Sequence, residues 1–212
     1  MGSSLLSTLE NNYDIMITHM QRIRDLTEEA ANGTYGTDSI TAINAEIEAR
    51  FTEIDRIAAI TEYNGQKLMT GALNNGVNLQ VGIDSSTNST ITLEATLFAD
   101  AKSETIIGQS ADDYKGLITA GTFGDALDAI DDALDEVTSR QTKIGAYQNR
   151  LDSAADALTV QYDNLSSSLS TVRDTDVASE SSNFIKAQIL QQASASLLTT
   201  ANQTPSIALN LI

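Results

Sequence analysis

The stretch LDAIDDALDEVTSRQTKIGAYQNRLDSAADALTVQYDNLSSSLSTV, residues 127–172, holds one heptad register without a slip. Its d positions are Ile130, Val137, Ile144, Leu151, Leu158, Leu165 and Val172, all aliphatic. Its a positions are Leu127, Leu134, Gln141, Gln148, Ala155, Tyr162 and Leu169. A complete d column over 46 residues predicts one helix of that length, roughly 70 Å long at about 1.5 Å per residue. A sustained 3.5-residue repeat imposes a left-handed supercoil and therefore requires helical partners. Gln141 and Gln148 are polar at a. They either fix register at a cost in stability or face solvent where the partner helices diverge.

The partners lie upstream. Leu6, Leu9, Tyr13, Met16, Met20, Ile23, Thr27 and Ala30 recur at gaps of 3 and 4, one stripe of a helix. Asn32-Gly33 and Tyr35-Gly36 break it. Asp38 or Ser39 can cap a second helix, whose apolar face is Ile40, Ile43, Ile47, Phe51, Ile54 and Ile57 and whose end is expected near Asn64-Gly65. Val77, Leu79, Val81 and Ile83, then Ile91, Leu93 and Ala95, alternate with polar residues on either side of a turn-like Asp84–Asn88. Period 2 predicts a small β-hairpin with one buried face. Residues 99–121 carry glycine punctuation and no assignable period. The fold class expected is mainly α: a long antiparallel coiled-coil rod with a small β-hairpin region and a separate C-terminal tail helix.

Composition excludes several functions. The chain has 212 residues and a net charge of −17, a poor match to nucleic acid or an anionic membrane surface. It has no Cys and a single His19, which removes zinc-finger, iron–sulfur, disulfide and Cys- or Ser–His-based chemistry. Asp112-Asp113 and Asp131-Asp132 are acidic pairs, read as helix-surface charge rather than metal ligands, and no His-Glu-x-x-His is present. No cofactor is expected. Met1-Gly2-Ser3-Ser4 lacks a basic n-region and a long apolar run, so no signal peptide is read there.

Charge is unevenly distributed. Lys186 is the last charged residue, and Ala187–Ile212 carries none. The glutamines, serines and Asn202 spread through it are costly in hydrocarbon, so it does not read as a membrane span. Phe184, Ile185, Ile189, Leu190, Leu197, Leu198, Leu209 and Leu211 would be wasted on a solvated helix. Such a segment is expected to bury itself against protein.

Ordered motifs carry a resemblance. Met20-Gln21-Arg22-Ile23-Arg24-Asp25-Leu26, Asn32-Gly33-Thr34, Glu53-Ile54-Asp55-Arg56-Ile57 and Tyr63-Asn64-Gly65-Gln66-Lys67-Leu68 resemble the N-terminal core of bacterial flagellins. Ile144-Gly145-Ala146-Tyr147-Gln148-Asn149-Arg150-Leu151, Arg173-Asp174-Thr175-Asp176-Val177-Ala178, Lys186–Ala193 and Ala201-Asn202-Gln203 resemble the C-terminal core. The resemblance implies N-terminal rod helices over residues 1–62, a hairpin and short variable region over 63–122, a long C-terminal rod helix over 123–175 and an inner-tube segment over 176–212. Relative to the family pattern, the sequence reads as truncated at the N-terminus and without a large variable outer domain.

The resemblance implies a structural, non-enzymatic subunit of the flagellar filament. Such a subunit is exported by the flagellar type III system, self-assembles through its terminal helices and serves motility outside the cell. Implied partners are other flagellin subunits and an export chaperone that wraps 177–212 in the cytoplasm. A flagellin-sensing Toll-like receptor is a further implied partner, meeting Arg22, Leu26 and Glu46. The competing readings are a flagellin-like hook–filament junction protein and a secreted needle-tip or translocator-type coiled-coil protein.

Overall fold

The structure, a computed structural model, describes residues 1–84, 86–173 and 176–209, with 203–209 as backbone only. It divides into a unit spanning Met1–Thr159 and a second unit beginning at Val160.

In the first unit, helix α1 spans Gly2–Ala30 and buries the whole expected stripe, with Leu5 and Leu26 added. Helix α2, Thr37–Ile60, buries Ile43, Ile47, Phe51, Ile54 and Ile57. Gly36 is its N-cap, so neither Asp38 nor Ser39 caps it; Asp38 sits in the first turn, where a carboxylate faces the positive end of the helix dipole. The helix stops at Ile60, short of Asn64-Gly65. That pair instead joins two short strands, β1 Glu62–Tyr63 and β2 Gln66–Lys67. Asn64 has φ 51° and Gly65 φ 78°, the two left-handed positions of a type I′ hairpin turn. An α-helix offers neither.

Strand β3, Val77–Gln80, pairs antiparallel with β4, Thr90–Leu93, placing Leu79 opposite Ile91 and Val77 opposite Leu93. This is the expected hairpin, but its ladder ends at Gln80 and Thr90. Ile83 therefore lies beyond the sheet and is 81% exposed. Ala95 opens a 3₁₀ turn, Ala95–Phe98, that drives Leu97 and Phe98 into the core.

Residues without a sequence assignment fold into two further helices, α3 Ser103–Ile107 and α4 Ala111–Ala120. Ser110 caps α4: its Oγ accepts from the Asp113 backbone N–H at 3.2 Å and donates to the Asp113 carboxylate at 2.6 Å. At the other end Gly121 has φ 78°, and the amides of Gly121 and Thr122 donate to the carbonyls of Ile118 and Leu117. This is the Schellman pattern. Tyr114 and Ile118, one turn apart, are the buried side of α4.

Helix α5 spans Phe123–Arg173. Ile130, Val137, Ile144 and Leu151 are buried as the d column requires, but the column buried beside them is Ala126, Ala133, Arg140 and Tyr147. Leu127, Leu134, Gln141 and Gln148 at a are only half-buried. The seam is thus rotated from a/d to g/d, because the packed neighbours of α5 lie on that side. Pairs Arg24–Asp131, Tyr13–Arg140 and Glu10–Gln148 run in opposite sequence directions, so α1 and α5 are antiparallel. Arg22–Glu46 and His19–Arg50 make α1 and α2 antiparallel, and Glu48–Lys115 with Asn44–Thr119 do the same for α2 and α4.

In the second unit, the far end of α5 exposes Tyr162, Leu165, Leu169 and Val172. Helix α6 covers Val177–Leu209, running past the end expected near Asn202. Asp176 caps it, accepting from the amides of Ala178 and Ser179 at 3.0 and 3.2 Å. Of the motif Arg173-Asp174-Thr175-Asp176, Asp174 and Thr175 lie outside the described residues.

Candidate functional site

Two surfaces concentrate the residues singled out by sequence. On α6, Phe184, Ile185, Ile189, Leu190, Leu197 and Leu198 are between 54% and 70% exposed. At about 100° per residue they spread around most of the helix rather than forming one stripe. A helix apolar on nearly all sides is one that ends up buried. The side chain of Leu209, and Leu211 entirely, lie outside the described residues.

The second surface joins α1 to α2. Arg22 grips Glu46 with two donors, Nε to Oε1 at 2.9 Å and Nη2 to Oε2 at 3.2 Å. Arg50 donates to the same Oε1 at 3.1 Å. Hydrogen bonds from Arg22 and Arg50 hold the Glu46 carboxyl below its ordinary pKa, and Glu46 raises that of Arg22. Both partners remain open to solvent, with side chains 43% and 34% exposed. Leu26 is not part of this surface. It is 1% exposed, because it completes the α1 core; it therefore offers no apolar anchor to a visiting protein. Nearby, Arg50 Nη1 lies 3.4 Å from His19 Nδ1; an arginine can only donate, so Nδ1 accepts. Burial first, then Arg50, lowers the His19 pKa.

The residue that sequence reasoning missed is Arg140, buried at a g position. Its Nη1 donates to the Tyr13 hydroxyl at 3.3 Å and the Ala99 carbonyl at 3.4 Å, and its Nε to Glu136 at 2.8 Å. Tyr13 in turn donates to the Leu97 carbonyl at 3.1 Å. Burial alone would lower the Arg140 pKa, but Tyr13 and Glu136 outweigh it. The group ties α5 and α1 to the segment after the hairpin. The signal was a cation at heptad spacing beside an intact d column. Three residues of the acidic pairs are otherwise employed: Asp113 accepts from the Ser110 hydroxyl at the start of α4, Asp112 pairs with Lys115 and Asp131 with Arg24. No group of three or more His, Cys, Asp or Glu among the described residues is placed to hold a metal, and none of the helices described is long and apolar enough to cross a membrane.

The family model for the bacterial flagellin N-terminal helical region matches residues 1–74, and that for the C-terminal helical region matches 127–212. The chain belongs to the bacterial flagellin family. It is 34% identical over 211 residues to a flagellin of Halalkalibacterium halodurans, covering 100% of this chain and 75% of that relative. It is 31% identical over 219 residues to the flagellar filament 30.7 kDa core protein of Treponema maltophilum, covering 100% of this chain and 76% of that one. The fold matches the crystal structure of Bacillus cereus flagellin with a TM-score of 0.59, at 23% identity, over 79% of this chain and 91% of that one. As a flagellin, the chain is a structural filament protein and not an enzyme. The two family regions cover the rod helices and all of α6, so the resemblance read in the motifs is the family itself.

Proposed function

We propose that this flagellin takes part in the extracellular flagellar filament by burying α6 against other copies of the subunit, and that an export chaperone covers the same helix in the cytoplasm beforehand. One observation carries this reading: α6, which holds no charged residue after Lys186, exposes Phe184, Ile185, Ile189, Leu190, Leu197 and Leu198. Burying a charge without a partner costs several kcal/mol (about 2–7 even for an unpaired neutral polar group), so a helix destined for a crowded interior does best without charges. Leu209 and Leu211 would extend the same surface. The test is co-expression with candidate flagellin chaperones followed by size exclusion. The full chain should co-elute with one of them as a complex, and deletion of 177–212 should abolish it. A deletion variant that still binds would overturn the chaperone assignment.

A second reading rests on the exposed Arg22–Glu46 pair. We infer that a flagellin-sensing Toll-like receptor meets Arg22 and Glu46, with Leu26 acting behind them as packing. Arg22 offers a bidentate fork and Glu46 its complement. In a receptor-signalling assay, Arg22→Ala should weaken the response markedly; a response equal to the parent's would remove this reading.

A further inference from the structure

We propose that Asn32 is a site of spontaneous deamidation, promoted by Thr34, and that the fold protects the two other Asn-Gly pairs. The chemistry is intramolecular. The Gly33 backbone nitrogen, after losing its proton, attacks the Asn32 side-chain carbonyl carbon. The tetrahedral adduct expels the amide nitrogen as ammonia and leaves a five-membered succinimide. Water opens the ring at either carbonyl, giving aspartate or isoaspartate. The balance is one water consumed and one ammonia released, with no oxidant or reductant.

Three features of the structure favour this position. The Thr34 hydroxyl donates to Asn32 Oδ1 at 3.2 Å, where it polarises the carbonyl and stabilises the oxyanion of the adduct. Gly33 has open space around it, with nothing within 4 Å of where a Cβ would lie, so the ring has room. The turn is exposed: the Tyr35 N–H donates to the Asn32 carbonyl at 3.2 Å, and the Asn32 N–H and the Tyr35 hydroxyl donate to the Glu29 carbonyl and carboxylate at 3.1 and 2.9 Å, which leaves Asn32 Oδ1 to Thr34.

The other pairs lack this combination. Asn64-Gly65 also has room at its glycine, but both residues are fixed in the left-handed region and clamped by the β1–β2 pairs Glu62–Lys67 and Tyr63–Gln66. Asn75-Gly76 is closed. The Gly76 amide already donates to the Leu73 carbonyl at 2.9 Å, and the Leu93 carbonyl fills the space where a Cβ on Gly76 would lie. Conversion at Asn32 also adds a negative charge to a stretch, residues 25–49, without Lys or Arg. Isoaspartate would lengthen the main chain in the turn between α1 and α2.

Trypsin places the three pairs on separate peptides, Asp25–Arg50, Ile57–Lys67 and Leu68–Lys102. The full chain is incubated at mildly alkaline pH, native or in urea, and the peptides are followed by mass spectrometry with isoaspartate detection. In the native chain the Asn32 peptide should convert first, and the difference should collapse in urea. Thr34→Val should slow conversion about fivefold, the rate equivalent of one net hydrogen bond, and Thr34→Ser should keep the parent rate. Native conversion at Asn64 or Asn75 as fast as at Asn32 would overturn the proposal, as would an unchanged ranking in urea. So would no conversion at Asn32, a Thr34→Val chain with the parent rate, or a Thr34→Ser chain as slow as Thr34→Val.

Discussion

Arg140 and Tyr114 each hold elements together through groups that water cannot reach. Replacing Arg140 by Met keeps the volume but leaves the Ala99 carbonyl and Tyr13 hydroxyl without their donor. An unsatisfied buried group costs about 1–3 kcal/mol, and each kcal/mol lowers Tm by about 2–4 °C in a chain of this size. Differential scanning calorimetry of Arg140→Met should show that drop. Tyr114 is a different case. The one proton of the Thr27 hydroxyl goes to the Ile23 carbonyl, so Tyr114 donates to Thr27 Oγ1 at 2.9 Å. Burial pushes the Tyr114 pKa from 10.0 up to about 12. The unfolded phenol therefore ionises first. The stability that the neutral phenol contributes is intact below pH 10 and is lost as pH rises towards 12. Tyr114→Phe should cost about 1 kcal/mol at neutral pH and flatten the loss of stability in that alkaline window. The check is urea unfolding across pH, and an identical alkaline slope in both proteins would refute it. Neither residue was marked by the sequence: an arginine on a mostly polar helix and a tyrosine in an unassigned stretch gain meaning only from neighbours 127 and 87 positions away.

At the scale of elements, α4 was written in the sequence but not read. Ser110-Ala111-Asp112-Asp113 is a capping-box signature with Asp in place of Glu or Gln, and Gly121 a C-terminal stop. Ten residues between them show too short a period to stand out against their glycines. Ser110→Ala should cost about 0.5–2 kcal/mol, and hydrogen exchange should show faster opening confined to α4. Uniform opening throughout the first unit would mean that the cap is not a local clamp. Asn64-Gly65 reads as a helix stop and folds as a hairpin turn four residues past the end of α2. Both a helix stop and a type I′ hairpin use such a pair, and only the geometry of the following strand separates them. The α5 register shows the same limit. A 3-4 spacing fixes which residues share a stripe, but the columns a and g both flank d, and the choice depends on where α1 and its neighbours sit.

For the molecule as a whole, every buried apolar side chain among the described residues lies between Leu5 and Leu151. Deletion of 177–212 should therefore leave the thermal unfolding of the first unit where it is in the full chain. A large fall in Tm would show that α6 supports that core. In an assembly, six large apolar side chains of α6, between 54% and 70% exposed, would each recover at most about 1.5–3 kcal/mol on burial. That sum is comparable with the roughly 4–15 kcal/mol lost in immobilising a partner, so α6 can drive association where it cannot stabilise a monomer.

The sequence by itself determined the four long helices, the existence of the β3–β4 hairpin, the family and the charge contrast between an acidic chain and an uncharged C-terminal segment. Each of these depends on local period, local turn chemistry or motif order, which the chain carries along its length. The tertiary structure alone decided that Arg140 is buried, that Leu26 belongs to the core while Arg22 and Glu46 stay outside, and which face of α5 is the seam. Those outcomes depend on which helix lies against which, and a one-dimensional period specifies a face without naming its neighbour.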